Sequence, residues 1–187
     1  MILSTPNEMK TVPVDIIHLE MGTPPAESPP PLADGITVRQ VPDPDVTHYR
    51  QLYLSVGRNY HWIDREVMPD DELQAILRHP AVSVYVLEVD GDQAGFAELD
   101  ARKNPDVEIV YFGLTSSYIG RGFARPFFDH VLDHAWKRAR CVWLHTCSLD
   151  HPAALPFYQS YGLTVRRYET RRQPLRPEAQ GGTMGPA

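Results

Sequence analysis

Cysteine is scarce in this chain: Cys141 and Cys147 are the only two in 187 residues. Both fall in a run that reads as buried strand, so they are expected to be reduced core residues rather than part of a disulfide framework. Long apolar runs are absent too. No stretch approaches the roughly 18 apolar residues that a membrane span requires, and no basic flank with an apolar segment opens the chain. The expectation is a cytoplasmic protein with no membrane partner. Basic residues do not predominate either: 18 Lys and Arg stand against 24 Asp and Glu, a formal net charge of −6. A phosphate-tracking nucleic-acid binder usually carries a basic surface, so that class is disfavoured, while an acidic surface weakly favours amines as partners. No internal repeat is visible.

Proline, by contrast, is plentiful and unevenly placed. Pro24, Pro25, Pro29, Pro30 and Pro31 among Ala, Glu and Ser read as an extended linker. Ahead of them, Thr11 to Met21 is richer in Val and Ile and is expected to add a strand at a sheet edge. Pro13 fits an edge because it donates no ladder hydrogen bond. The tail from Pro174 holds Pro, Gly and Gln with little to bury and reads as frayed. The division expected is an extension over 1–35, one domain over 36–173 and a flexible tail over 174–187.

The domain alternates strands and helices. Ile36–Val41 is a strand, and Asp43-Pro44 opens a helix with Val46, Tyr49, Leu52, Tyr53 and Val56 at helical spacing. A shorter helix spans Pro69–Arg78. Asp90-Gly91 is a hairpin turn between strands Ala81–Val89 and Gln93–Asp100. A third strand, Asp106–Leu114, leads through a Gly-bearing turn to a helix ending near Arg138. A strand (Cys141–Thr146), a helix (Pro152–Tyr161) and a last strand (Leu163–Thr170) follow. Arg166, Arg167, Arg171 and Arg172 suit a solvated edge strand.

The turn carries the most information. Gly120 and Gly122 let backbone N–H groups approach a ligand, and the helix start behind them offers unpaired donors and partial positive charge, a seat for phosphate. A Walker loop needs Gly-Lys-Ser/Thr, which is missing here. A dinucleotide fingerprint needs a third glycine where Arg125 stands. His130 and His134 lie four apart on the helix, but Val131 follows where a zincin needs Glu, so no metal is expected. A Gly-x-Ser-x-Gly elbow is absent as well.

Ile119-Gly120-Arg121-Gly122-Phe123-Ala124, set between a strand and a helix, resembles the signature loop of the GNAT acetyltransferase superfamily. That signature reads Arg or Gln, two residues, Gly, one residue, then Gly or Ala. Gly122 and Ala124 match; Ile119 departs from it. The family's second motif, Asn-x-x-Ala-x-x-x-Tyr, falls on His151, Ala154 and Tyr158, with His in place of Asn. The resemblance covers about residues 36–172. It implies a mixed α/β (α+β) fold with a mostly antiparallel central sheet, splayed at its centre and flanked by helices.

The same resemblance implies acetyl-CoA as cosubstrate and an amine acceptor attacked directly in a ternary complex. Backbone groups of Phe112, Gly113 and Leu114 would hold the pantetheine arm. The loop Gly120–Arg125 would take the pyrophosphate, with Arg121 or Arg125 adding charge. Glu108 is the favoured base: period-two alternation puts it with Val110, Phe112 and Leu114 on one strand face. Glu98 is the second candidate. A loop symmetric about residue 103 would set it directly opposite Glu108, and facing carboxylates raise one pKa. Tyr158 is the matched acid for the departing thiolate. His145, Thr146 and Cys147 fall near the expected site, with Cys147 read as a buried strand thiol. Tyr60 and Trp62, with Asp64 and Arg65 beside them, fall where the family builds its acceptor pocket, and aromatics with an acid suit a cationic amine. The alternative reading is a non-catalytic acyl-CoA sensor or partner-docking module. A homodimer is compatible with the sequence.

Overall fold

The computed structural model describes residues 10–176. Seven strands form one sheet: β1 (Thr11–Met21), β2 (Ile36–Val41), β3 (Val82–Val89), β4 (Asp92–Asp100), β5 (Asp106–Leu114), β6 (Cys141–Cys147) and β7 (Thr164–Pro174). Their order across the sheet is β2-β3-β4-β5-β6-β1-β7. Every neighbouring pair is antiparallel except β5 and β6, which run parallel. Among the described residues five α-helices accompany the strands: α1 (Val46–Gly57), α2 (Asp64–Val67), α3 (Asp70–Leu77), α4 (Ala124–Trp136) and α5 (Ala154–Ser160). No helix among the described residues is long and apolar enough to cross a membrane.

Two cores lie on opposite faces of the sheet. On one, Tyr49, Leu52, Tyr53 and Val56 form the apolar stripe of α1 and pack with Leu73 and Leu77 of α3 against Val84, Val86 and Phe96. On the other, Phe127, Phe128, Val131, Leu132 and Ala135 of α4 join Tyr158 of α5 against Leu87, Ala97, Leu99 and Val107. Covered on both faces, β4 is buried without interruption from Ala94 to Leu99. The helix cap differs from expectation. Asp45 rather than Asp43 caps α1, its carboxylate accepting from the His48 amide at 2.9 Å.

The strand at Thr11–Met21 does not lie at an edge. It is inserted between β6 and β7, pairing with both. Pairing with β6 begins only at Ile16, so β1 is paired on one side alone at Pro13, where a missing amide donor is tolerated. Segment 11–21 is therefore part of the same sheet as the rest of the domain, and β7 is the arginine-rich edge strand. Strand β7 runs to Pro174, and the Leu175 amide donates to the Lys10 carbonyl at 2.8 Å. Residues 1–9 and 177–187 of the expected extension and tail lie outside the described residues.

Two local irregularities set up the site. First, β5 and β6 pair only from Asp106–Cys141 to Glu108–Trp143 and then separate, leaving a gap in the sheet. Second, Leu99 faces Ile109 whereas Glu98 faces Tyr111, so Val110 is an extra residue, a β-bulge. A bulge reverses the facing of everything beyond it. Val107 and Ile109 lie in the α4-side core, and so do Leu114 and, packed against it, Phe112, despite their opposite parity.

Candidate active site

A cleft of about 570 Å³ passes through the gap between β5 and β6. Because the gap opens the sheet itself, residues of both faces line it. From the α4 side come Ala124, Phe157 and Tyr158; from the α1 side come Tyr53, Trp62 and Tyr111.

At one end stands the glycine loop. Gly120 and Gly122 have φ of +75° and +89°, a region that L side chains adopt only with strain. No atom lies within 4 Å of where a Cβ would sit at either position, so the space above this backbone is open. Helix α4 starts immediately after, capped by no side chain. Its first N–H groups thus remain available, as an anion site requires. Pro126 is the third residue of α4, inside the turn whose amides have no intrahelical acceptor, and so breaks no helix bond. Arg121 lies over the rings of Tyr118 and Phe123, at 5.0 and 5.5 Å. Arg125 lies over Tyr161 at 5.6 Å. Both cations therefore flank the loop. Ile119 and Gly120 border the cleft, with Ile119 partly exposed.

His151, in place of the motif asparagine, is exposed and borders the cleft, and its Nδ1 accepts from the Ala153 amide at 3.1 Å. That bond sets up the entry to α5, on which Ala154 and Tyr158 face the cleft. Burial and the negative charge of Asp150 hold the Tyr158 phenol well above its ordinary pKa, so it stays protonated.

The other end is aromatic and acidic. Trp62 packs on Tyr111, Tyr53 and Tyr60 with ring centroids 5.1, 5.7 and 6.3 Å apart. It is seated in the space left by Gly57, where any Cβ would collide with the indole. Asp150 organises this end. Its carboxylate accepts from Trp62 Nε1 at 3.2 Å, the Thr146 hydroxyl at 2.8 Å and the Cys147 amide at 2.9 Å. Asp150 was not legible as a site residue, although it directly precedes the second motif. Asp64 also lines the cleft, at the start of α2. Arg176, just past β7, braces the segment from outside by donating to the Trp62 carbonyl at 2.9 Å and to Glu66.

The carboxylates differ from expectation. Glu98 does not stand opposite Glu108; Asp100 does. The β4–β5 loop is not centred on residue 103, and the bulge moves Glu98 one further place along β5. Glu98 is fully enclosed, receiving the Arg65 guanidinium at 2.5 Å and the Tyr49 hydroxyl, and it is not among the cleft-lining residues. Glu108 does not share a face with Phe112 and Leu114 either, because the Val110 bulge intervenes. It lies on the α1 side and borders His145, whose ring lines the cleft. The cysteines are free and half-buried, on the face of β6 away from the α4 core. Burial, then Asp150, pushes the Cys147 thiol up to about 11, which leaves little thiolate to act as a nucleophile. The two helix histidines serve separately: His130 donates to the Pro126 carbonyl and His134 stacks on Tyr85.

Residues 46–163 match the model of the acetyltransferase (GNAT) family. The chain belongs to the GNAT acetyltransferase family. Among solved structures it is similar to a GCN5-related N-acetyltransferase from Sphaerobacter thermophilus, with 25% identity and a TM-score of 0.61 over 89% of this chain and 54% of that one. A GCN5-related N-acetyltransferase from Kribbella flavida matches at 17% identity and TM-score 0.57, over 93% and 61%. An aminoglycoside acetyltransferase from an uncultured soil metagenomic sample, solved with sisomicin, matches at 13% and 0.56, over 82% and 95%. The last two likenesses concern the fold alone. The chain spans little more than half the length of the first two structures. No curated protein matches it.

Proposed function

We propose that this GNAT-family chain is an acetyl-CoA-dependent N-acetyltransferase that transfers the acetyl group to an amine in a ternary complex. The observation that carries this reading is the through-sheet cleft, which joins a phosphate-type loop on one side to an aromatic, acidic pocket on the other. The residues present fit acetyl-CoA. Two glycines at positive φ with open space above them, and the uncapped start of α4, suit a pyrophosphate. Beyond Glu108 the β6-facing edge of β5 has no strand partner among the described residues, so the backbone groups of the Phe112–Leu114 stretch that point to that edge are available to an extended pantetheine arm. When bound, acetyl-CoA supplies a thioester whose carbonyl is open to attack.

The chain's own groups then divide the work. An amide among Phe112, Gly113 and Leu114 would donate to the thioester oxygen, and Tyr158, held protonated, would give its phenolic proton to the leaving sulfur. Trp62, Tyr60 and Tyr111 enclose an ammonium or its carbon skeleton, and Asp64 and Asp150 supply the negative field that favours a cation. The test is release of free CoA thiol from acetyl-CoA in the presence of a panel of phenethylamine, spermidine, kanamycin and lysine. Amine-dependent release with at least one of them is expected. No release with any, in folded protein, would overturn the proposal.

A further inference from the structure

On the acceptor side of the sheet, a ladder of titratable side chains crosses four adjacent strands. Glu108 Oε1 on β5 lies 3.7 Å from His145 Nδ1 on β6. His18 on β1 is the register partner of His145, and the two ring centroids are 5.8 Å apart. On β7, His18 Nε2 meets Glu169 Oε2 at 3.3 Å and Arg167 Nη2 at 2.9 Å. Arg167 in turn holds Glu169 at 3.0 Å. Of these five side chains, His145 alone borders the cleft. Glu108 sits behind it, and Glu169 reaches the exposed edge strand.

We propose that His145 is the base that takes the proton from the acceptor amine, with Glu108 as a positioning residue and His18 with Glu169 as the outlet to solvent. This rests on the amine-acetyltransferase reading above. The amine N–H bond breaks, its electron pair becomes the nucleophile, and the proton forms a bond to His145 Nε2. The imidazolium so formed keeps its Nδ1–H toward the Glu108 carboxylate, which fixes the ring orientation. His18 is equipped for both proton states. Neutral, its Nε2 accepts from Arg167; protonated, it donates to Glu169. Asp150 is the rival base in the cleft, but Trp62, Thr146 and the Cys147 amide already occupy its oxygens. The groups facing His145 are Glu108 from β5 and His18 from β1, with Cys147 beside it on its own strand.

The experiment uses the full chain and the variants His145→Gln, Glu108→Gln and His18→Gln. For whichever panel amine the wild type acetylates, His145→Gln should lower kcat/KM by about 10²–10⁴-fold and remove the acid limb of the pH profile. The melting shift given by acetyl-CoA should be unchanged. Nitrogen-detected NMR of the imidazoles supplies a readout independent of turnover: Glu108→Gln should move the His145 Nδ1 resonance, because the carboxylate facing that nitrogen is lost. Full turnover with an intact acid limb in His145→Gln would overturn the ladder while leaving the enzyme reading in place. An unmoved His145 Nδ1 resonance in Glu108→Gln would do the same. A wild type whose melting temperature acetyl-CoA does not raise would overturn both.

Discussion

Replacing Glu98 by alanine should unsettle the protein more than any change at its surface. Glu98 is wholly enclosed, and the side chain of its partner Arg65 is 9% exposed. The carboxylate also receives the Tyr49 hydroxyl. Burial alone disfavours charge on Arg65, but Glu98 and the surrounding hydroxyls outweigh it and hold the guanidinium cationic. Glu98→Ala would strand that cation, whose Nε already lacks a partner, beside an unpaired phenol. Breaking a buried pair from one side costs about 3–5 kcal/mol. At about 2–4 °C per kcal/mol for a domain of this size, the melting temperature should fall by ~6–20 °C. Urea unfolding and thermal melts would measure the loss. The double variant Arg65→Met, Glu98→Leu should recover most of it, since apolar replacement of a buried pair is often neutral. A loss below about 1 kcal/mol, the value of a solvent-exposed pair, would show that water reaches this site and refute the reasoning. Arg65 also stands 5.5 Å over the Tyr111 ring, so Glu98→Ala should raise KM for the amine as well.

Three further outcomes are expected. Gly122→Ala, forced into φ near +89°, should cost about 1–2 kcal/mol if the loop keeps its shape and should weaken acetyl-CoA binding; unchanged binding would separate the loop from the phosphates. Tyr158→Phe should lower kcat about a hundredfold with little change in acetyl-CoA binding, and full turnover would remove Tyr158 as the acid. The Cys147 thiol, pushed up to about 11 against a usual value near 9, should alkylate slowly at pH 8, and Cys147→Ala should retain turnover. The folded state holds that proton more tightly than the unfolded chain, so this thiol's stabilisation is present below about pH 9 and lost between about pH 9 and 11.

What the sequence disclosed is what local chemistry enforces. The glycines at 120 and 122 are required by their own backbone angles, and the stripes of α1 and α4 by helical period. What it hid depends on partners far along the chain. Val110 bulges with no glycine or proline between Val107 and Phe112 to mark it, so the face of Glu108 was misread. Glu98 read as a second candidate base facing Glu108, but Arg65, 33 residues earlier in the chain, closes over it. Pro13 suggested an edge, yet β6 ends opposite Ile16, which admits β1 to the interior of the sheet. Asp150 has no motif; it is defined by Trp62, Thr146 and Cys147 converging on it.

The most direct test of the central claim is thermal unfolding with acetyl-CoA, beside free CoA, NAD and ATP. At a ligand concentration of about 100 times Kd, binding adds about 2.7 kcal/mol. For this domain size the melting temperature should rise by roughly 5–10 °C with acetyl-CoA and CoA, and not with the other two. No rise with acetyl-CoA at saturating concentration would contradict the assignment of the glycine loop and the split sheet to that ligand.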